Sequence, residues 1–217
     1  MTKEQLEYVQ ARKSTSFYEK NQYIFLENQQ PSGVYCVYSG SVKIIKQIDT
    51  GKEFIVRHSG PGSLVGYRSV LSRNRYNACG QAMEDSILCF IEAQDFEKLV
   101  EENPAFTRSL LQRLAQELGV AEERLRDISL HPARARLAQF FLQLLEQSPK
   151  KSTRKIPLPY NKKDIAAFLG MTQQTLIRIL AEWKKNNILF LHNNTCDIRK
   201  LDALKKEIHT VKARKRV

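Results

Sequence analysis

The chain has 217 residues, 42% of them hydrophobic and 27% charged, and this composition excludes a disordered protein. At about 100–200 residues per domain, the length predicts one large domain or two small ones. The longest uncharged apolar run, Ile87–Ile91, is far shorter than the roughly 20 residues that a membrane helix needs. The first residues also lack the hydrophobic segment of a secretory signal. We therefore expect a cytoplasmic protein with no membrane partner.

The net charge of +12 is concentrated in the second part of the chain. Residues 1–130 contain 16 basic and 17 acidic residues, whereas residues 131–217 contain 19 basic and only 6 acidic residues. Such a basic region creates an electrostatic potential suited to a polyanion, whose phosphates it neutralises with release of counterions. A merely solubilising surface would not account for so sharp an asymmetry. The charge pattern therefore indicates a nucleic-acid-binding region after residue 130.

The sequence shows no motif of a metal site or of a common enzyme class. Its four cysteines include no Cys-x-x-Cys pair and no histidine lies at metal-finger spacing from them, so we expect no metal site and mostly packed, reduced thiols. Gly60–Ser63 is a turn. It is not a nucleotide-binding phosphate loop, because no Gly-Lys-Ser/Thr follows it. Nucleophile-elbow and zinc-protease motifs are also missing. The four cysteines mentioned above are Cys36, Cys79, Cys89 and Cys196. Because no motif of an enzyme class is found, we expect a protein that is not an enzyme.

The first part of the chain has the pattern of an all-β domain. Seven of the nine glycines precede residue 81, and short runs rich in β-branched and aromatic residues lie between them. Short strands separated by turn signals are typical of an antiparallel sandwich or barrel. Asp49–Lys52 is a hairpin-turn candidate. The predicted strands are Tyr23–Leu26, Val34–Tyr38, Ser41–Ile48, Phe54–His58 and Ser86–Ile91.

A long amphipathic helix is predicted from Pro104, a residue favoured in the first helical turn, to about residue 131. Its apolar residues are spaced three or four apart and form a narrow face that resembles a coiled-coil seam. We expect this helix to pair with a second copy of the chain; the alternative is a helix that lies only on its own barrel. The predicted dimerisation residues are Phe106, Leu110, Leu114, Leu118, Ala121, Leu125 and Ile128.

Two short helices joined by a tight turn are predicted near the C-terminus. They follow a second helix at Arg134–Gln147 and a loop with an extended piece at Ser148–Pro159. Asn161 can cap the first short helix and Thr172 the second. Gly170 suits the left-handed position that ends a helix. This arrangement is a helix-turn-helix, in which the second helix enters the major groove of double-stranded DNA. An ordinary helical hairpin is the alternative.

The outward face of the second short helix is the candidate reading surface, because its N-terminal residues meet base edges in a helix-turn-helix. After it, Ile188–Leu191 and Thr195–Ile198, joined by a turn at Asn193-Asn194, predict a β-hairpin wing. The outward residues are Gln173, Gln174, Ile177 and Arg178.

The order of these parts resembles the cyclic-AMP receptor / fumarate–nitrate regulator (Crp-Fnr) family of bacterial transcription factors, from about Phe17 to Leu204. The most specific segment is Asp164–Arg178, and Gly40 and Gly66 match barrel glycines of the family. The resemblance implies an α+β protein: a cyclic-nucleotide-binding-like β-barrel (jelly roll), a long dimerisation helix and a winged helix-turn-helix. It also implies a homodimer and RNA polymerase as a partner. The corresponding domains are residues 1–103, 104–131 and 132–217.

The resemblance assigns DNA contacts to individual residues. Arg178 matches the position that grips guanine, where a guanidinium bonds both O6 and N7, and Thr175 and Lys162 match phosphate-contacting positions. Gln174 replaces a usual glutamate and Ile177 a usual small residue. Because an amide pairs well with adenine and an aliphatic side chain with the thymine methyl, we expect an operator richer in A·T than the family consensus. The candidate DNA-binding residues are Lys162, Thr172, Gln173, Gln174, Thr175, Ile177 and Arg178.

The barrel departs from the cyclic-nucleotide-binding pattern of the family, which is Gly-Glu-Leu followed about ten residues later by Arg-Ser/Thr-Ala. The chain instead has Gly66-Tyr67-Arg68-Ser69 and then Arg75-Tyr76-Asn77-Ala78, and Ala121-Glu122 replaces the Thr-Ser pair expected on the long helix. We therefore expect no control by cyclic AMP in the standard mode, predict no cofactor and leave the effector unidentified. The candidate effector pocket comprises Gly66, Tyr67, Arg68, Arg73, Arg75, Tyr76, Asn77 and Glu122.

The oxygen-sensing branch of the family binds an iron–sulfur cluster through three N-terminal cysteines and one barrel cysteine. Cys89 falls close to the barrel position, but the first 35 residues contain no cysteine. We expect no cluster, and we expect Cys89 to be a buried strand residue. His58, the only histidine of the barrel, is expected to be structural rather than a haem ligand.

Three functions follow from these observations. The first is a homodimeric regulator that recognises a palindromic operator. The second is a cyclic-nucleotide-responsive regulator with a non-standard phosphate cassette. The third is a largely non-specific DNA-binding protein, driven by the basic region and the tail Lys212–Arg216. The ratio of specific to random-sequence affinity separates the first from the third.

Overall fold

The computed structural model describes residues 3–47, 53–148, 155–158, 160–192 and 195–209. Several sequence predictions therefore lie outside the described residues: the turns at Asp49–Lys52 and Asn193-Asn194, most of the loop at 148–159, and the basic tail. The chain forms two compact units, Met1–Leu118 and Gly119–Val217.

The first unit combines an antiparallel β-structure with short helices, as the glycine-punctuated strands predict. The elements are α1 (Lys3–Arg12), β1 (Ser14–Tyr18), β2 (Tyr23–Phe25), β3 (Gly33–Ser39), β4 (Val42–Gln47), β5 (Glu53–Ser59), β6 (Leu64–Val65), α2 (Tyr67–Leu71), β7 (Cys79–Ala82), β8 (Ser86–Glu92) and α3 (Ala93–Glu102). The strands form four-stranded sheets with the orders β1-β8-β3-β6 and β2-β7-β4-β5.

Alternating side chains of these strands build the core of the barrel. Val37, Val42 and Leu88 are buried in one cluster with Phe25 and neighbouring aliphatic residues, as expected when every second strand residue faces inward. The turn between β3 and β4 requires Gly40, whose φ is +82° and where a Cβ would lie 2.2 Å from the Ser86 hydroxyl oxygen. The family glycine predicted at this position therefore has a steric cause.

The long helix predicted from Pro104 is confirmed as α4 (Pro104–Leu130). The division into compact units falls inside it, after Leu118, and the domain limits at residues 103 and 131 stay a prediction. Leu110 is buried in a cluster of the first unit that contains Tyr67 and Phe96, and Phe106 and Leu114 pack against the same cluster.

Phe106, Leu110 and Leu114 thus contact the chain's own core, and their assignment to a dimer interface stays a prediction. A different stripe of α4 is exposed. Leu111, Leu118 and Leu125 are 61%, 61% and 67% exposed, and they recur at intervals of seven residues.

The second unit contains the remaining helices and a small three-stranded antiparallel sheet, in which Thr195–Ile198 pairs with both Leu189–His192 and Lys155–Pro157. The predicted second helix, both helices of the helix-turn-helix and both strands of the wing are present. A C-terminal helix was not predicted, whereas the strand at Lys155–Pro157 lies in the segment that was expected to be a loop with an extended piece. The elements are α5 (Ala133–Gln147), β9 (Lys155–Pro157), α6 (Lys162–Phe168), α7 (Gln173–Lys185), β10 (Leu189–His192), β11 (Thr195–Ile198) and α8 (Leu201–His209).

One hydrophobic core holds this unit together. Trp183 of α7 is fully buried and meets Phe141 of α5 edge-on, with ring centroids 6.4 Å apart. Leu176 and Ile179 of α7 and Leu204 of α8 belong to the same cluster. The core therefore fixes the inner face of α7 and leaves its other face free for a partner.

No described helix combines the length and the apolar composition that a membrane span requires.

Candidate nucleic-acid interface

The turn between α6 and α7 has the capping geometry that the sequence predicts. The Asn161 side chain accepts a hydrogen bond of 2.8 Å from the backbone N–H of Asp164 at the start of α6. The Thr172 hydroxyl accepts one of 3.2 Å from the N–H of Thr175 at the start of α7. Gly170 between the helices has a φ of +60°. These caps satisfy helix-end donors and stabilise the α6–α7 corner.

The residues predicted to read DNA lie together on the exposed side of this corner. Lys162, at the first position of α6, and Gln173 and Gln174, in the first turn of α7, are exposed. Ile177 is 47% exposed, an unusual position for an isoleucine, and the Arg178 side chain is 66% exposed. The surface thus offers amides, an aliphatic group and a guanidinium, the groups that recognise base edges.

The two threonines of the predicted set are coupled to each other. The hydroxyl oxygens of Thr172 and Thr175 lie 2.9 Å apart. Thr172 is exposed, whereas Thr175 is half-buried. The N-terminus of a helix carries unpaired N–H groups and a positive dipole end, which favour an anion. The assignment of Thr175 as a phosphate contact stays a prediction.

A chain of ion pairs behind the reading surface was missed by the sequence analysis. Nη1 of Arg178 donates to Oε1 of Glu182 at 3.0 Å, and Arg134 of α5 bonds the other carboxylate oxygen of Glu182. Arg134 also donates from Nε to Oε2 of Glu207 at 2.6 Å, and the Trp183 indole donates to Oε1 of Glu207 at 3.1 Å. The hydrogen bond from Arg134 holds the pKa of Glu182 below its ordinary value. Glu182 is therefore ionised at neutral pH and holds the Arg178 guanidinium from one side.

A second arginine joins the end of the long helix to the helix-turn-helix within the second unit. Arg136 donates from Nη1 to the His131 carbonyl oxygen at 2.6 Å and to that of Ile128 at 3.4 Å. It also donates from Nε to the Leu169 oxygen at 3.0 Å and from Nη2 to the Gly170 oxygen at 3.2 Å. A single guanidinium therefore bonds the carbonyl groups at the C-terminal ends of both α4 and α6. These are the groups that helix ends leave unpaired.

The candidate effector pocket of the first unit is a small crevice that Tyr76 helps to line. This tyrosine is buried, stacks on Phe25 with ring centroids 4.2 Å apart and donates its hydroxyl to the Gly33 carbonyl at 3.2 Å. The crevice has a volume of about 20 Å³, enough for one or two water molecules. It is lined by Phe25, Ile44, Arg57, Gly66, Arg68, Ser69, Tyr76, Asn77 and Ala78.

Four predicted pocket residues, Gly66, Arg68, Tyr76 and Asn77, line this crevice, whereas three others do not. Tyr67 is buried in the core under α4, where its hydroxyl donates to Glu117 at 2.9 Å. Arg73 points to solvent, with 83% of its side chain exposed. Arg75 is exposed and donates to the Asn28 carbonyl at 2.9 Å. Among the predicted pocket residues, Glu122 belongs to the second unit, where it is exposed on α4.

The described residues fit neither a cyclic nucleotide bound in the standard mode nor a four-thiolate iron–sulfur cluster, two ligands known in the family that the chain resembles. A cyclic nucleotide needs more room than the roughly 20 Å³ of this crevice, which Tyr76 helps to line. A four-thiolate cluster needs four cysteines, and the described residues include no group of three or more cysteine, histidine or carboxylate side chains placed to hold a metal ion. Cys79 and Cys196 are buried as expected. The expectation that Cys89 is buried is wrong, because it is half-exposed beside Cys36.

Comparisons with known proteins identify both units. The model of the cyclic nucleotide-binding domain matches residues 15–103, and that of the Crp-like helix-turn-helix domain matches residues 135–207. Regulatory protein HlyX of Actinobacillus pleuropneumoniae is 26% identical over 86% of this chain and 78% of its own length. The fumarate and nitrate reduction regulatory protein of Yersinia pestis is 26% identical over 86% of this chain and 75% of its own length.

The fold agrees with these matches. The structure of FixK2 from Bradyrhizobium japonicum superposes with a TM-score of 0.75 at 24% identity, over 89% of this chain and 96% of that one. The curated relatives are regulators rather than enzymes, in agreement with the sequence analysis. The chain therefore belongs to the cyclic-AMP receptor / fumarate–nitrate regulator family and is a transcription regulator with a helix-turn-helix DNA-binding domain.

Proposed function

We propose that the protein is a homodimer that binds a palindromic DNA operator and inserts α7 of each subunit into the major groove. The observation that carries this proposal is the construction of α7. Its inner face, including Trp183, is fixed in the core, and its N-terminal turn is capped by Thr172. Its outer face presents Gln174 and Arg178 to solvent. A rigid helix with exposed base-reading groups suits sequence-specific recognition. The protein acts where bacterial DNA lies, in the cytoplasm, and RNA polymerase is its proposed protein partner.

The exposed stripe of α4 supports the dimer. Leu111, Leu118 and Leu125 keep the seven-residue spacing of a coiled-coil seam, and Ala121 and Ile128 occupy the second apolar position of the same heptads. Leucines that are more than 60% exposed cost solubility unless a partner covers them. A second copy of α4 is self-complementary to this stripe and sets two recognition helices about 34 Å apart, one turn of DNA.

We expect Arg178→Ala to weaken binding to the specific operator by about 1–3 kcal/mol and to relax the preference at one base pair. The reason is that a guanidinium bonds both O6 and N7 of guanine, whereas alanine bonds neither. The operator is first selected from random duplexes, and the affinity of each variant is then measured on the operator and on its single-base variants. Recovery of the unmodified family half-site would contradict the A·T-rich operator expected from Gln174 and Ile177.

Lys184→Ala is the matched control, because it removes the same charge from the exposed last turns of the same helix. It is expected to weaken binding to all sequences alike and to leave base preference unchanged. Equal losses on operator and random DNA for Arg178→Ala would make Arg178 a phosphate contact. Equal affinity of the unaltered protein for operator and random DNA would favour the non-specific DNA-binding function.

We propose further that neither cyclic AMP in its standard mode nor an iron–sulfur cluster controls this protein. The burial of Tyr76 in the crevice and the distribution of the cysteines support this view. Calorimetric titration with cyclic AMP and with cyclic di-GMP, with and without operator DNA, is expected to give no heat while the protein alone binds the operator tightly. Micromolar binding that also tightens DNA affinity would instead establish a nucleotide-responsive regulator with a non-standard cassette.

A further inference from the structure

Two cysteines of the first unit are direct neighbours across a pair of strands. Strands β3 and β8 are antiparallel, and Cys36 lies opposite Cys89 in their register. Opposite residues of antiparallel strands have Cα atoms about 4.5 or 5.5 Å apart, and both separations fall in the range of about 4.4–6.8 Å that a disulfide requires. The pair therefore needs no movement of the strands to be bridged.

Both cysteines lie on the side of the sheet that faces away from the barrel core. Their chain neighbours Val37 and Leu88 are buried in that core, and successive strand residues point to opposite faces. Cys36 and Cys89 are each half-buried, whereas Cys79 and Cys196 are fully buried. A small reagent therefore has access to the first two sulfurs and not to the other two.

The surroundings of the pair contain groups that act on a thiolate. The Thr15 hydroxyl lies 3.8 Å from Sγ of Cys89, at hydrogen-bonding distance for sulfur. Burial raises the pKa of the Cys36 thiol; Cys89 raises it further, whereas Arg113 and Lys13 act in the opposite direction. The register of the two strands places the two cysteines opposite each other, and the electrostatic influence of Arg113 and Lys13 favours the Cys36 thiolate.

We propose that Cys36 and Cys89 form a thiol oxidation site, which a peroxide converts into a reversible disulfide within one chain. The Cys89 thiolate attacks one peroxide oxygen: an S–O bond forms, the O–O bond breaks and hydroxide leaves. The Cys36 thiolate then attacks the sulfenic sulfur: the S–S bond forms, the S–O bond breaks, and the departing oxygen leaves as water with a proton. Two thiols thereby lose two electrons and two protons, and hydrogen peroxide becomes two molecules of water.

We assign the first attack to Cys89 because the Thr15 hydroxyl is placed to stabilise its thiolate, and because burial disfavours the thiolate of Cys36. Cys36 then acts as the resolving thiol, a role that needs only a sulfur across the strand pair. Thiol–disulfide exchange with a small dithiol reverses the reaction.

The test treats the full-length protein with hydrogen peroxide and counts free thiols after denaturation. We expect the count to fall from four to two, the intact monomer to lose two hydrogen atoms in mass, and a linked peptide to join Cys36 to Cys89. Dithiothreitol should restore all four thiols. Persistence of four thiols, or a disulfide that joins two chains, would overturn the proposal.

Three variants distinguish a specific pair from general oxidation. Cys36→Ser and Cys89→Ser should each abolish the internal disulfide, and Cys36→Ser should accumulate sulfenic acid on Cys89, detectable with a dimedone probe. Cys196→Ala removes a buried thiol of the other unit and should leave the linkage intact. Circular dichroism establishes that each variant is folded. A linkage that survives Cys36→Ser, or one that disappears in Cys196→Ala, would show that other sulfurs react.

Discussion

Replacing Leu118 and Leu125 together by glutamate is expected to convert the dimer into a monomer and to weaken operator binding by about 100-fold or more. Both leucines lie on the exposed stripe of α4, at 61% and 67% exposure, so their replacement removes little packing within the chain. In a dimer the change places four carboxylates in one apolar seam, where charges without partners are costly. A monomer also loses the gain of about 10²–10⁴ that comes from binding two half-sites at once.

Sedimentation velocity gives the oligomeric state, and titration of a one-half-site and a two-half-site duplex separates dimer loss from damage to the reading surface. Leu130→Glu is the matched control: Leu130 is 63% exposed on the same helix but lies outside the seven-residue stripe. It should remain dimeric and bind both duplexes as the unaltered protein does. A double variant that stays dimeric would place the interface elsewhere.

The apolar residues of α4 belong to two different faces of the helix, although the sequence pattern predicts one. Residues 106, 110 and 114 advance by four, so each step turns by about 40° around the helix, since a turn takes 3.6 residues. Residues 111, 118 and 125 advance by seven and drift by only about 20° per step. The first set meets the core of its own unit, and the second stays exposed. Spacing alone does not distinguish the sets, because the partner of each face is determined by tertiary contacts.

The helix-turn-helix was predictable because its determinants are local. Asn161 and Thr172 cap helices through bonds three residues away, and Gly170 takes the left-handed conformation required by the turn. The ion-pair chain behind Arg178 was not predictable, since Arg134 and Glu207 lie 73 residues apart in the chain. Tyr76 shows the same limit in the first unit. The sequence aligns Tyr76 with a position that binds the cyclic nucleotide in other family members. The burial of its ring depends on contacts with Phe25 and Gly33, which are distant in the sequence.

Arg136→Ala is expected to lower the free energy of unfolding by about 3 kcal/mol, the cost of removing charged hydrogen bonds and leaving carbonyl oxygens without a donor. The Arg136 guanidinium bonds the His131 and Ile128 oxygens at the end of α4. It bonds the Leu169 and Gly170 oxygens after α6 at the same time. Burial lowers the pKa of Arg136 from its ordinary value, but an arginine guanidinium keeps its charge at neutral pH in a protein.

Urea unfolding monitored by the fluorescence of Trp183, the only tryptophan, measures this change in the second unit itself. Arg126→Ala is the control, because Arg126 is exposed and pairs only with neighbouring Asp127 at 3.0 Å among the described contacts; its expected cost is about 0.5 kcal/mol or less. Arg136→Lys should recover only a minor part of the loss, since one ammonium group lacks the planar fork that reaches both helix ends. If Arg136→Ala unfolds at the same urea concentration as Arg126→Ala, the two helix ends do not depend on the guanidinium.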